Sequence, residues 1–257
     1  MRKFKIIAVI PSRMDSTRYP GKPLLKISCL PMIEHVRRRV LLCKDFDRVI
    51  VATCDTKIFN VIKSFGGDVV MTSRKHKMAS DRVAEVVKNT DCTHVINIQG
   101  DELLVIPKEI NKLTKKIKKN KNIDFWNVIA PIKNKQELID RDVVKCFISK
   151  SKNIIFCSRF IIENRKENQK EGSYIVVGIL AFTKKGILEF SKLKRTFIEK
   201  RDSIDQMRII ENDRVLKSIR FNKGYPGINT RKEELKVRKI LKEDKIQSTI
   251  LKKIVHD

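Results

Sequence analysis

The stretch FKIIAVIPSRMDSTRYPGKPL, residues 4–24, opens as an apolar run and passes into a cationic, proline-rich loop. The run is rich in Ile and Val and is bounded by Pro11, so it reads as a first β-strand over Lys5–Ile10. A first strand that feeds a loop and then a helix begins an alternating α/β fold. In such folds ligands sit beyond the carboxyl ends of the strands. The loop at that end carries Arg13, Ser16, Thr17, Arg18 and Lys22 but only one glycine, Gly21. It matches neither the P-loop pattern nor the dinucleotide fingerprint.

The chemistry of the loop suits an anion. Arg13 offers a planar fork and Lys22 a compact charge for phosphate oxygens. Ser16 and Thr17 add hydroxyl donors, Gly21 is expected to let the backbone approach the ligand, and Pro11, Pro20 and Pro23 stiffen the path. On these residues alone a phosphate clamp and an ordinary basic surface loop both stay open.

The alternation continues downstream. Strands are predicted over Arg48–Thr53, Asp68–Thr72 and His94–Gln99. Helices are predicted over Met32–Leu42, Thr56–Phe65, Ser80–Lys88 and Lys108–Lys119, the last opened by Pro107. The result is an α/β fold, a Rossmann-like, mainly parallel sheet with helices on both faces. Its topology brings residues 10–24, 73–82 and 99–104 to one edge. The second half reads as β-rich, with strands over Phe125–Ile132, Val143–Ser149, Asn153–Ser158, Tyr174–Phe182 and Val215–Phe221. Residues 163–173 are polar and read as a long surface loop or arm. From Arg231 one long basic amphipathic helix is expected, with Leu235, Val237, Ile240 and Leu241 on its inner face. No Pro-, Gly- or Ser-rich linker divides the chain, so one domain with an inserted or appended β-region is expected.

At 257 residues, 41% hydrophobic and 34% charged, the chain can bury an ample core. No apolar run approaches the roughly 18 residues of a membrane span, and the basic start MRKFK lacks a cleavage site, so no signal peptide is read. Cys29, Cys43, Cys54, Cys92, Cys146 and Cys157 are scattered and mostly lie in apolar runs. They read as reduced thiols of a cytoplasmic protein. The net charge of +27 is carried by lysines spread over helical faces. With 6% aromatic residues and no zinc-finger or RNA-binding pattern, neither a nucleic acid nor a membrane partner is expected. His35 and His94 read as structural.

A second chemical element is INIQGDELLVIP, residues 96–107, where a strand runs into Gly100 and presents Asp101 and Glu102. A carboxylate there suits Mg²⁺, which takes one or two protein carboxylates and completes its shell with phosphate oxygens. Alone, Q-G-D-E could equally be read as a plain strand-to-helix turn; with the cationic loop on the same edge, nucleotidyl transfer is the reading it offers.

In order along the chain stand IPSRMDSTRYPGKPL, LPMIEHVRRR, VATCD, FGGDVVMTS, the H-x-x-x-S-D-R of residues 76–82, NIQGDE, IIFCSRFII (154–162), GILAFTKKGIL (178–188), SIDQMRIIEN (203–212) and PGINTRKEEL (226–235). Together they resemble the 3-deoxy-manno-octulosonate (Kdo) cytidylyltransferases over nearly the whole length. The resemblance implies a nucleotide-diphospho-sugar transferase type of fold and Mg²⁺-dependent joining of CTP to an acidic sugar, with release of pyrophosphate, in a homodimer. It implies a nucleotide-binding half in 1–120, a sugar-acid and dimerisation region in 121–230, and a C-terminal helix over 231–257. By the same resemblance Lys22, Arg13 and Asp101 are the catalytic residues, and Pro11, Arg13, Ser16, Lys22, Ser80 and Arg82 bind the nucleotide, with the loop at Lys77–Arg82 near cytosine and ribose. Arg18, Gln99, Arg159, Asp205 and Gln206 face the sugar acid, and Asp101 and Asn229 hold the metal.

Several positions depart from the family pattern. Asn229 stands in P-G-I-N-T where the family has Asp, and Val177 stands where it has His. Met78 and Ala79 replace Ser and Gly, and Asp202 and Asp205 replace two Glu residues. The changes gather on the sugar side and at the second metal ligand, which points to Kdo or a modified Kdo-like acid as acceptor. A catalytically weak paralogue, a basic nucleotide- or nucleic-acid-binding protein and a non-sugar acceptor stay open as other readings.

Overall fold

The computed structural model describes residues 4–15, 18–160 and 173–255, so Ser16, Thr17 and all but the last residue of the polar stretch 163–173 lie outside the described residues. The chain divides into two compact units, residues 1–119 with 225–257, and residues 120–224.

The first unit begins with β1 (Ile6–Ser12), a short antiparallel pair β2 (Lys26–Ile27) and β3 (Leu30–Pro31), and α1 (Met32–Leu41). β4 (Arg48–Thr53), α2 (Thr56–Ser64), β5 (Asp68–Met71), α3 (Ala79–Lys88), β6 (His94–Ile98) and α4 (Pro107–Lys119) follow. β1 lies between β6 and β4, β5 pairs outside β4, and all three pairings are parallel. Every residue of β1 and β6 is buried, which is why both read as continuous apolar runs rather than alternating ones. β1 runs two residues past its predicted end, since Pro11 and Ser12 still pair with Ala52 and Thr53. The β6 ladder has already ended at Val9–Asn97, which leaves an edge where a proline fits.

The second unit holds β7 (Phe125–Pro131), α5 (Lys135–Ile139), β8 (Lys145–Ile148), β9 (Ile154–Ser158), β10 (Ser173–Thr183), α6 (Lys184–Phe190), α7 (Phe197–Asp202), α8 (Asp205–Ile210) and β11 (Leu216–Arg220). β10 pairs antiparallel with β7 and β8, β8 with β9, and β11 runs parallel to β7. The four helices are short, and the strand-based reading of this half missed them.

The chain then returns to the first unit as α9 (Arg231–Glu243) and α10 (Lys245–Val255). This corrects the single C-terminal helix. Asp244 leaves the helical conformation and its Oδ1 accepts from Ile246 N (3.0 Å) and Gln247 N (3.2 Å), so it ends one helix and caps the next. The expected inner face of α9 also changes. Leu235 is 56% exposed, whereas Glu234, Val237 and Leu241 are buried. Glu234 goes inside because Tyr19 Oη, Arg231 and Arg238 all donate to its carboxylate. Burial pushes that carboxyl up, yet these donors outweigh it and hold it below its ordinary value.

Candidate active site

In the first unit a cleft of about 320 Å³ opens at the carboxyl ends of the parallel strands. Among the described residues its walls come from segments 11–15, 18–23, 76–82 and 99–101 with Met32 and Asn229, so the three segments expected at one edge do meet there. Of the catalytic, binding and metal residues expected from the sequence, Pro11, Arg13, Arg18, Lys22, Arg82, Gln99, Asp101 and Asn229 line it.

Lys22 is the centre of the arrangement. Its Nζ donates to Asp101 Oδ2 at 2.8 Å, Ile228 O at 2.9 Å and Asn229 Oδ1 at 3.0 Å. Arg18 Nη2 reaches the same Asn229 oxygen at 3.3 Å. Tight backbone approach brings these groups together. A Cβ on Gly227 would stand 3.2 Å from Asp101 O, so the turn carrying Asn229 presses against the strand end carrying Asp101. Asn229 N donates to Glu233 Oε2 (2.6 Å), and Glu233 N to Thr230 Oγ1 (3.3 Å), which anchors that turn on the start of α9.

The opening loop is built by turns rather than by glycine contact with a ligand. Gly21 adopts φ +74°, the left-handed turn that starts the 3₁₀ turn Lys22–Leu24, and it does not line the cleft. Its service is to aim Lys22 inward. Met14 N donates to Asp55 Oδ2 (2.9 Å), which gives the D of V-A-T-C-D a task in holding the Arg13 end of the loop.

The facing wall carries His76, Lys77, Met78 and Ala79. His76 Nε2 pairs with Glu85, whose same oxygen accepts from Ser73 N at 3.0 Å. Burial raises the Glu85 carboxyl, but His76 and the Ser73 amide outweigh it and hold it low. Glu85 was missed in the sequence, where it looks like one more charge on a helix. Arg82 is 3% exposed and donates to Thr72 Oγ1 and, at 3.4 Å, to Cys54 Sγ. Ser80 is fully buried, accepts from Asn97 Nδ2 (3.3 Å) and does not line the cleft. Ser12, Asp15 and Met32 line it without having been singled out, because nothing in their spacing marks them.

Among the described residues no three His, Cys, Asp or Glu side chains gather as a metal cage. The donor set nevertheless fits Mg²⁺. Asp101, Asn229 and the Ile228 carbonyl already converge on one cation, the Lys22 ammonium, and supply one carboxylate and two neutral oxygens. That is a sparse oxygen shell of the sort phosphate oxygens complete.

The other named residues belong to the second unit. Arg159 donates to Asp202 O (2.8 Å), Arg141 O (3.1 Å) and Asp142 O (3.3 Å). Lys145, 1% exposed, donates to Asp140 O and Arg159 O, both at 2.7 Å, and burial lowers its pKa to about 8. Gln206 Nε2 donates to Asn127 Oδ1 (2.7 Å), and Asn127 Nδ2 to Val177 O (3.2 Å). Asn127, a polar residue inside the apolar strand FWNVIAP, is the sequence signal for this node. Val177 is buried and sits in a register shift of β10. Asp205 stands in the first turn of α8. His35 is fully buried, and burial lowers it to about 3, which makes it a neutral structural residue. No helix among the described residues is long and apolar enough to cross a membrane.

Comparison with known proteins carries the same direction. Residues 7–219 match the family model described as cytidylyltransferase. A 3-deoxy-manno-octulosonate cytidylyltransferase of Fusobacterium nucleatum subsp. nucleatum is 34% identical over 244 residues, covering 95% of this chain and 99% of the relative. A Zea mays protein of the same name is 30% identical over 248 residues, covering 95% of this chain and 83% of the relative. A solved structure of CMP:2-keto-3-deoxy-manno-octonic acid synthetase complexed with CTP superposes with a TM-score of 0.84 at 29% identity, over 92% of this chain and 98% of that one. Matched along its length in sequence and in fold, with a cationic loop facing Asp101 across the cleft, the chain belongs to the 3-deoxy-manno-octulosonate cytidylyltransferase family.

Proposed function

We propose that the chain transfers the cytidylyl group of CTP to Kdo or a Kdo-like 3-deoxy-2-keto sugar acid. The anomeric hydroxyl oxygen bonds to the α-phosphorus, the bond from that phosphorus to the β-phosphate bridge breaks, and pyrophosphate leaves. The observation that carries the reading is the meeting of Arg13 and Lys22 with Asp101 and Asn229 in one cleft.

Both reactants are anions, so the first task of the chain is to cancel repulsion, and positioning with charge neutralisation dominates phosphoryl transfer. Arg13 and Lys22 take phosphate oxygens, and the stiff turn at Gly21 keeps Lys22 aimed. Asp101 and Asn229 would hold Mg²⁺, which supplies charge neutralisation at the phosphates. Arg18 and Gln99 in the cleft, and Arg159, Asp205 and Gln206 in the second unit, are assigned to the sugar acid, and Ser80 with Arg82 supports the nucleotide wall. The reading takes 1–257 as one nucleotidyltransferase, working as a cytoplasmic homodimer. Five of the six cysteines are buried and all are free, which supports a reducing compartment.

The Val177 side chain cannot hydrogen-bond a sugar hydroxyl, which favours an acceptor altered from Kdo as the second reading. Pyrophosphate release from CTP and Mg²⁺ with a panel of 3-deoxy-2-keto acids, Kdo among them, tests both. Turnover with a member of the panel is expected, and CTP binding without turnover on any member would overturn the proposal. A related prediction concerns the metal. Asn229→Asp adds a negative charge beside Asp101 and is expected to lower the Mg²⁺ concentration for half-maximal rate by up to about tenfold, since ligand charge tunes cation affinity. An unchanged Mg²⁺ titration would take Asn229 off the metal.

A further inference from the structure

The segment carrying Asp101 is a run of tight turns. Glu102 N donates to Gln99 O (3.0 Å), Leu103 N to Asp101 O (2.8 Å) and Val105 N to Glu102 O (3.2 Å). Two buried side chains hold its far end. Gln247 Nε2, on α10, donates to Leu104 O at 2.8 Å, and Arg39 Nη1, on α1, to Val105 O at 3.3 Å. The same Arg39 nitrogen donates to Gln247 Oε1 at 2.5 Å, so the two side chains form one clasp on consecutive carbonyls. Both are fully buried. Arg39 Nε donates to His35 Nδ1 at 3.3 Å, which the neutral ring can accept. Burial lowers Arg39 only to about 9, so it keeps its proton at neutral pH. A charged guanidinium is costly to bury, and here it is placed where it grips a turn beside the cleft. α10 itself is seated by the Asp244 cap and by Arg38 Nη1 on Ile254 O (2.7 Å).

We infer that Gln247 and Arg39 are positioning residues for Asp101: the clasp from α10 and α1 sets the turn 99–105 and through it the place of the Asp101 carboxylate. Gln247 lies outside residues 7–219, the part matched by the family model. The inference rests on the cytidylyltransferase reading of the cleft. It makes the C-terminal helix a working part of the site, although none of its side chains lines the cleft.

Two variants of the full chain test it. Gln247→Met keeps length and removes both hydrogen bonds. Gln247→Glu keeps an acceptor for Arg39 but has no donor for Leu104, and it serves should the methionine variant not fold. In either, amides of residues 99–106 are expected to exchange with solvent about tenfold faster while those of β4 are unchanged. The Mg²⁺ concentration for half-maximal pyrophosphate release is expected to rise about tenfold, with KM for CTP shifted less than about twofold, as for other groups supporting a metal ligand. Unchanged exchange over 99–106 overturns the inference, and so does faster exchange with an unmoved Mg²⁺ titration. Failure of the wild-type chain to release pyrophosphate from CTP and the acid panel would instead overturn the proposed function. Mn²⁺ binding in the presence of CTP, read from the Mn²⁺ paramagnetic signal, then decides the inference by the same tenfold criterion.

Discussion

Asp101→Ala and Lys22→Ala are each expected to lower kcat/KM by about a hundred- to a thousand-fold, the loss seen when one preorganised charge-stabilising group is removed. The fold should be nearly unaffected. Their side chains are 14–25% exposed, so the pair is only partly buried, and breaking it is expected to cost less than the roughly 3–5 kcal/mol of a fully buried pair. Lys22 without Asp101 also keeps the Ile228 carbonyl and the Asn229 amide oxygen. Pyrophosphate release measures the first effect, and thermal unfolding the second. Near-wild-type rates in either variant would remove that residue from the site.

Glu199→Gln should act in the opposite way, on stability. Glu199 is fully buried and accepts from Arg208 through Nε (2.9 Å) and Nη2 (2.6 Å), and from Arg195 Nε (3.1 Å). Arg208 also stacks over Phe190, 4.2 Å from its centroid, and stands on α8 two residues after Gln206. Removing the charge leaves a buried guanidinium without its carboxylate, which costs about 3–5 kcal/mol. A fall in melting temperature of roughly 10 °C is expected near pH 7. The pH dependence has a definite sign. Burial raises the Glu199 carboxyl, but Arg208 and Arg195 outweigh it and hold it below its ordinary 4.5. A depressed carboxylate contributes stability above its unfolded pKa and loses it as pH falls through the folded one. The gap between wild type and variant should therefore close below about pH 4.5 in thermal unfolding experiments, and a gap independent of pH would mean that the charge is not what holds α8.

Much of the first unit was legible because its central strands β1 and β6 are buried along their whole length. An apolar run between turn residues has one reading there, and the helices between them show a clear period. The cationic loop and Q-G-D-E were legible for another reason, since charges at strand ends have no packing role to explain them. The second unit was harder to read. α5, α6, α7 and α8 are five to seven residues long, too short for a 3.6-residue period to rise above noise, so the strands dominated. The break at Asp244 was hidden because a capping Asp inside a Lys- and Glu-rich run looks like another surface charge.

Local chemistry along the chain thus decided the order of strands and helices, the cationic loop and the carboxylate that faces it. Contacts between residues far apart in sequence decided the rest. They brought Asn229 onto Lys22 across 207 positions, turned Glu234 inward in place of Leu235, and closed Gln247 over a turn 143 positions earlier. Pattern along a chain reports which face of an element is apolar. Which buried polar group meets which partner depends on packing in three dimensions, and the Asp101 turn is set by such partners.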